Sequence, residues 1–107
     1  MAKYDMKRYV EDYAREKGIQ VKNNSVRLDE STLINGYEDM IEIVFMINHH
    51  KVFSSIISQA SEGDGLLVDV NGNYVICRSL DEAIAIAKKD YDRAVKEDLR
   101  LKNLLKE

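Results

Sequence analysis

The chain has 107 residues, 45% of them apolar, with no proline and a single cysteine, which fits one domain over residues 1–107 with a modest core and no internal disulfide framework. Its net charge of −3 is unevenly spread: residues 28–77 carry eight acids against one base, Lys51, while residues 1–27 and 78–107 carry +3 and +1. An acidic centre argues against direct nucleic-acid binding and would steer a protein with a basic surface towards it.

The first segment, roughly residues 3–17, reads as an amphipathic helix. Met6, Tyr9, Val10, Tyr13 and Ala14 fall on one stripe, and Gly18 supplies the left-handed residue that ends it. These first residues are too charged for a secretory leader, so a cytoplasmic location is expected. Ile19 to Lys22 alternates with period two, Asn23-Asn24-Ser25 reads as a turn, and Val26 to Leu28 completes a short hairpin. Residues 29–39 are polar and contain Asn35-Gly36, which suggests a loop or a ragged edge strand.

Met40 to Asn48 is the most hydrophobic segment. Ile41, Ile43, Phe45 and Ile47 face one way as a strand and Val44 and Met46 the other, so it belongs in the middle of a sheet. A second helix or another copy of the chain would then cover Val44 and Met46. Its unbroken apolar run, Ile43–Ile47, is far short of a membrane span, and no membrane contact is expected. In Val52 to Ala60 apolar and polar residues come two by two, which favours a short helix within 51–61, although the β-branched content fits the return strand of a hairpin. Glu62-Gly63-Asp64-Gly65 breaks whatever precedes it.

The clearest local instructions lie further on. Asn71-Gly72 between two apolar runs predicts a tight hairpin of Leu66–Val70 with Tyr74–Arg78. Ser79-Leu80-Asp81-Glu82 is a capping box that starts a helix at once. An unbroken helix from Ser79 to Lys106 would be about 42 Å long, longer than the body of the domain. Its leucine-rich end, with Leu101, Leu104 and Leu105, is expected to fold back, fray or pair with a partner helix. The fold class that follows is α+β: a mainly antiparallel sheet of four or five strands, with the N- and C-terminal helices packed on one face.

Motifs for chemistry are sparse. His49-His50 is the only histidine pair, and adjacent residues on a strand end point to opposite faces, which suits a polar turn better than a metal. Asp69, Asn71 and Asn73 imitate the start of a calcium loop, but Gly72 falls at the wrong position and Leu80 stands where a glutamate is needed. Glycine-rich Glu62–Gly65 is too acidic for a phosphate cradle. Ser54, Ser55 and Ser58 lack a nucleophile elbow, and Cys77 is expected to face the core as an inert thiol. Neither a cofactor nor enzymatic activity is expected.

Arg78 to Ala83, a strand end running into Ser-Leu-Asp-Glu-Ala, resembles the end of the HicB-like antitoxin domain. The likeness is confined to this stretch and no function is carried over from it. Small size, lack of a catalytic motif and a Lys-, Ile- and Asn-rich composition also resemble products of phage or mobile elements, which include inhibitors of host defence. The expected function is therefore protein binding by a small inhibitor or accessory factor. Its acidic loops, with Asp29, Glu30, Tyr37, Glu38, Asp39, Glu62 and Asp64, would meet a basic surface. Two alternatives are a homodimer through Val44, Met46 and the C-terminal leucines, and a cryptic metal protein or enzyme around His49 and His50.

Overall fold

The computed structural model describes residues 5–61 and 65–106. The elements in chain order are α1 (Met6–Lys17), β1 (Ser25–Arg27), β2 (Thr32–Gly36), β3 (Ile41–Ile47), β4 (His50–Gln59), β5 (Leu66–Val70), β6 (Asn73–Cys77), α2 (Leu80–Glu97) and α3 (Leu99–Lys106). The strands form one six-stranded antiparallel sheet in sequence order. The α+β class and the two helices on one face are as expected, but there are more strands.

Tight turns drive the meander. Asn23-Asn24, Asn48-His49 and Asn71-Gly72 all hold both central residues at positive φ, the conformation whose twist suits a two-residue hairpin and which Asn and Gly adopt at low cost. Asp69 supports the last of these by accepting a hydrogen bond from the Gly72 N–H at 3.0 Å. Ahead of the first, residues 19–21 are not a strand, and Lys22 makes only an isolated bridge to Ser25.

Gly18 and Ser79 cap the helices as expected, whereas the cap at Asp5 was not expected. Asp5 accepts from Lys7 N–H, and Gly18, at φ 70°, closes α1. The Ser79 hydroxyl accepts from Glu82 N–H at 3.2 Å, while the Glu82 carboxylate accepts from the Arg78 N–H, one residue before the cap. Both helices cross the same side of the sheet. Met6, Val10 and Ala14 of α1 and Leu80, Ala83, Ala87 and Tyr91 of α2 share one core with Ile34, Ile43, Phe45, Ile57 and Val68. At its centre the Tyr91 ring stacks on Phe45, centroids 4.6 Å apart and planes 3° from parallel, with Phe53 tilted against both.

Two further expectations are corrected, and the C-terminal segment takes one of its expected fates by folding back. Residues 51–61 hold no helix; 51–59 lie in β4. Its pairing with β3 slips between Phe45 and Met46, so that Phe45 opposes Phe53 and Met46 opposes Lys51. Val52 is therefore an extra, bulged residue, and it packs on the core beside Phe53. That bulge puts two successive apolar residues on one side and imitates a helical stripe. Residues 32–36 are an internal strand, and Asn35-Gly36 is not a turn. The chain turns at Tyr37–Met40 instead, closed by the Tyr37 N–H donating to the Met40 carbonyl at 2.9 Å. The long C-terminal helix breaks at Asp98, which has extended φ and ψ. Its N–H still donates to the Ala94 carbonyl, and its carboxylate accepts from Arg100 N–H at 2.9 Å, so one residue ends α2 and starts α3. Folded back in this way, α3 buries Leu101.

Gly36 is set by space. A Cβ there would lie 3.0 Å from Val10 Cγ2 and 3.2 Å from the Lys7 Cα, so the glycine lets α1 approach β2 closely. Gly36→Val is expected to lower stability by about 1–3 kcal/mol, read as a fall in the urea midpoint at constant m-value.

Candidate functional site

The helices leave the opposite side of the sheet bare. Cross-strand registers place Arg27, Leu33, Asn35, Glu42, Val44, Met46, Ser54, Ile56, Leu67, Asp69, Tyr74 and Ile76 on this open face. None of its apolar residues belongs to the core under the helices. The shortest dimension of the molecule, 18 Å, has room for two layers only. Val44 and Met46 were expected to need a covering helix or a second copy. No described element covers them, yet Val44 is only 4% exposed.

A polar chain accounts for that. Ser25 donates to Asn35, Asn35 donates to Glu42 at 3.3 Å, and Lys51 Nζ donates to Glu42 at 2.7 Å. Lys51 opposes Met46, and Val44 lies between Met46 and Glu42 on the same side. The ion pair therefore spans Val44, and the aliphatic stem of the lysine shields it. Burial pushes the Glu42 carboxyl up, but hydrogen bonds from Lys51 and Asn35 and the charge of Lys51 outweigh this and hold it below its ordinary 4.5.

The acidic residues expected to form a partner site are divided. Asp29 and Glu30 lie in the β1–β2 connection, whereas Tyr37, Glu38 and Asp39 lie in the β2–β3 connection, at the other end of β2. Five residues at ~3.3 Å each put the two groups about 17 Å apart. Glu62 and Asp64 lie outside the described residues. Asp29 is held locally: burial raises its carboxyl, and hydrogen bonds from Ser31 and Thr32 reverse this and leave it lowered. Tyr37 is 43% exposed. The Glu38 carbonyl accepts from the first N–H of α1, at Met6.

The leucines expected to meet a partner are divided too. Leu101 is 6% exposed and belongs to this protein's own fold, Leu104 is half-buried, and Leu105 is 53% exposed. Leu104 and Leu105 line a crevice of about 430 Å³ with Glu30, His49, Lys88 and Tyr91. His49 is a central residue of the β3–β4 turn and His50 begins β4. Among the described residues, no three of His, Cys, Asp and Glu gather closely enough to hold a metal ion. Cys77 is buried, and burial together with the charge of Glu82 raises its thiol. Asp90, a buried carboxylate on α2, is met by Arg93 at 2.8 and 2.9 Å.

Sequence reasoning missed the most exposed apolar group. Tyr74, Val75 and Ile76 of the outermost strand, β6, are 66%, 38% and 69% exposed. The available signal was the absence of any charge across Asn73–Cys77 in a chain that is 33% charged.

No family model, no curated protein and no solved structure matches the chain. The HicB-like likeness at Arg78–Ala83 coincides with the capping box of α2, a local device that serves any helix.

The lowered Glu42 carboxyl sets a pH dependence. A carboxyl depressed in the folded state stabilises the protein fully above its unfolded value, near 4.5, and that stabilisation is lost as pH falls through the folded value. Between pH 6 and pH 3, Glu42→Gln is expected to remove on the order of 1 kcal/mol of the acid sensitivity seen in urea unfolding.

Proposed function

We propose that this chain is a small, non-catalytic protein-binding module that presents the open sheet face to a partner with a basic surface. The observation that carries this reading is the bare face itself. Half-buried Leu33, Met46 and Ile56 neighbour the Glu42–Lys51 pair and half-buried Leu67 continues the apolar surface onto β5, while the acidic residues Asp29, Glu30, Glu38 and Asp39 stand at the two ends of the strands. An apolar centre with a polar rim is the usual anatomy of a protein interface. Acid at both ends sets the orientation and speed of encounter more than the final affinity.

The division of acidic residues changes how a partner would be met. One acidic loop was expected to act as the anchor; two groups about 17 Å apart require a partner that spans the length of the strands. Inhibition of another factor is one form such binding takes, and a cytoplasmic setting fits it. Among the described residues no helix is long and apolar enough to cross a membrane.

The test uses a partner captured on the immobilised protein and measured by calorimetry. Neutralising both ends together, D29N/E30Q/E38Q/D39N, is expected to weaken binding about tenfold, or ~1.4 kcal/mol, and to flatten its dependence on salt. Leu67→Lys, placed in the apolar centre, is expected to abolish capture with unchanged circular dichroism. Equal affinity for all three proteins would remove this reading.

A further inference from the structure

The edge of the sheet at β6 is unguarded. Edge strands that stay single are blunted by lysine, proline, a bulge or extreme shortness. β6 has neither lysine nor proline, and its register on β5 runs without a break from Val70↔Asn73 to Leu66↔Cys77. The other edge, β1, has three residues and ends in Arg27. The two edges are thus treated differently, and only β6 offers a flat, apolar ladder.

The Asn71-Gly72 turn fixes which backbone groups are free. A two-residue hairpin loop makes its flanking residues, Val70 and Asn73, a hydrogen-bonded pair. Alternation then gives Val68↔Val75 and Leu66↔Cys77 the same character. The N–H and C=O of Tyr74 and Ile76 consequently point away from β5, and among the described residues no strand lies beyond β6 in the sheet.

One antiparallel register uses all four of these groups with a second identical strand. Tyr74 opposes Ile76 of the second copy, Ile76 opposes its Tyr74, and Val75 opposes itself on a two-fold axis. The side chains match in the same register. Aromatic meets β-branched on the open face twice, and valine meets valine on the helix side, pairs that stabilise a ladder. Arg78 comes opposite Gly72 of the second copy, beside the turn held by Asp69, so opposite charges meet at both ends of the seam. A foreign strand would need a complementary sequence of its own; this strand already complements itself.

We infer that β6 is a dimerisation edge, at which two copies of the chain join antiparallel about Val75 into one continuous sheet. The interface is isologous and closed, so it stops at two copies. A five-residue seam falls below the ~1,200 Å² of a standard stable interface, which makes the dimer reversible, with a dissociation constant in the micromolar range. The two open faces run on into each other across the seam. The seam takes the edge of the open face at Tyr74 and Ile76, whereas the reading of a basic partner rests on the centre of that face and on the acidic residues at its ends.

Sedimentation velocity from ~1 µM to ~1 mM brackets that affinity. The wild-type mass is expected to rise from 12.3 kDa towards twice that value. Val75→Lys sets two like charges opposite each other and should stay monomeric. Ile76→Pro removes an N–H that points outward, so it should fold and also remain a monomer, which guards against misreading an unfolded lysine variant. Under oxidation Val75→Cys should cross-link in high yield, because a non-hydrogen-bonded antiparallel pair sets the two Cα atoms about 4.5 Å apart. Tyr74→Cys, which faces Ile76, should not, and neither should the wild type with its buried Cys77. A single 12.3 kDa species at every concentration, or a dimer that survives V75K and gives no V75C cross-link, overturns the inference. A monomeric V75K that still captures the basic partner separates this result from the reading of the open face.

Discussion

The architecture depends on how short the connections between strands are. None of the five, from residues 28–31 to 71–72, is long enough to hold a helix. Among the described residues helical cover comes only from the elements before β1 and after β6, and α1 and α2 lie on the same side. The contact that secures this is the stacking of Tyr91 on Phe45. It brings the middle of α2 down on the central strand, and an aromatic pair of this geometry adds about 0.5–1.5 kcal/mol beyond the area it buries. With α2 fixed there and α1 fitted against Gly36, nothing in the described chain remains to cover the other face.

Devices confined to a few residues were legible in the sequence. Asn71-Gly72 turns because its neighbours in the chain leave it no better choice, and Ser79 caps because its partner, Glu82, is three residues away. The Met6–Ala14 stripe and the buried place of Cys77 were legible in the same way. What failed required knowledge of another strand. Val52 and Phe53 look like half a helical stripe until the bulge against Phe45 and Met46 is known. Ser55 looks like a solvent residue, yet it is buried and its hydroxyl donates to the Asp69 carbonyl at 3.4 Å, across to β5. Gly36 looks like a turn residue, and the reason for it is a helix that starts thirty positions earlier. The acidic segment read as one patch because distance along the chain hides the fact that β2 separates its halves.

The open face shows how a sheet with no third layer among the described residues hides an apolar side chain from solvent. An ion pair at the surface contributes little by itself, but Glu42–Lys51 lies along the strands and shields Val44 from solvent. The same pair is supported from Asn35 and, through it, from Ser25, so four neighbouring strands share one polar chain. Its protection stops at β4. Beyond it, exposure rises from half-buried Leu67 on β5 to Tyr74 and Ile76 on β6, and this gradient distinguishes the edge from the centre.

Several described side chains able to do chemistry have a structural task. Asp69 holds a turn, Asp90 is paired with Arg93, Glu82 and Ser79 cap a helix, Asp98 joins two helices, and Cys77 fills the core. His49 serves a turn at positive φ, a conformation in which histidine is enriched over most residues. Among the described residues, the extended apolar surface of the open face and the outward-pointing backbone of β6 have no such task. They bind other polypeptide, side chain by side chain over a face and hydrogen bond by hydrogen bond along an edge, and this is why the two surfaces carry the functional reading.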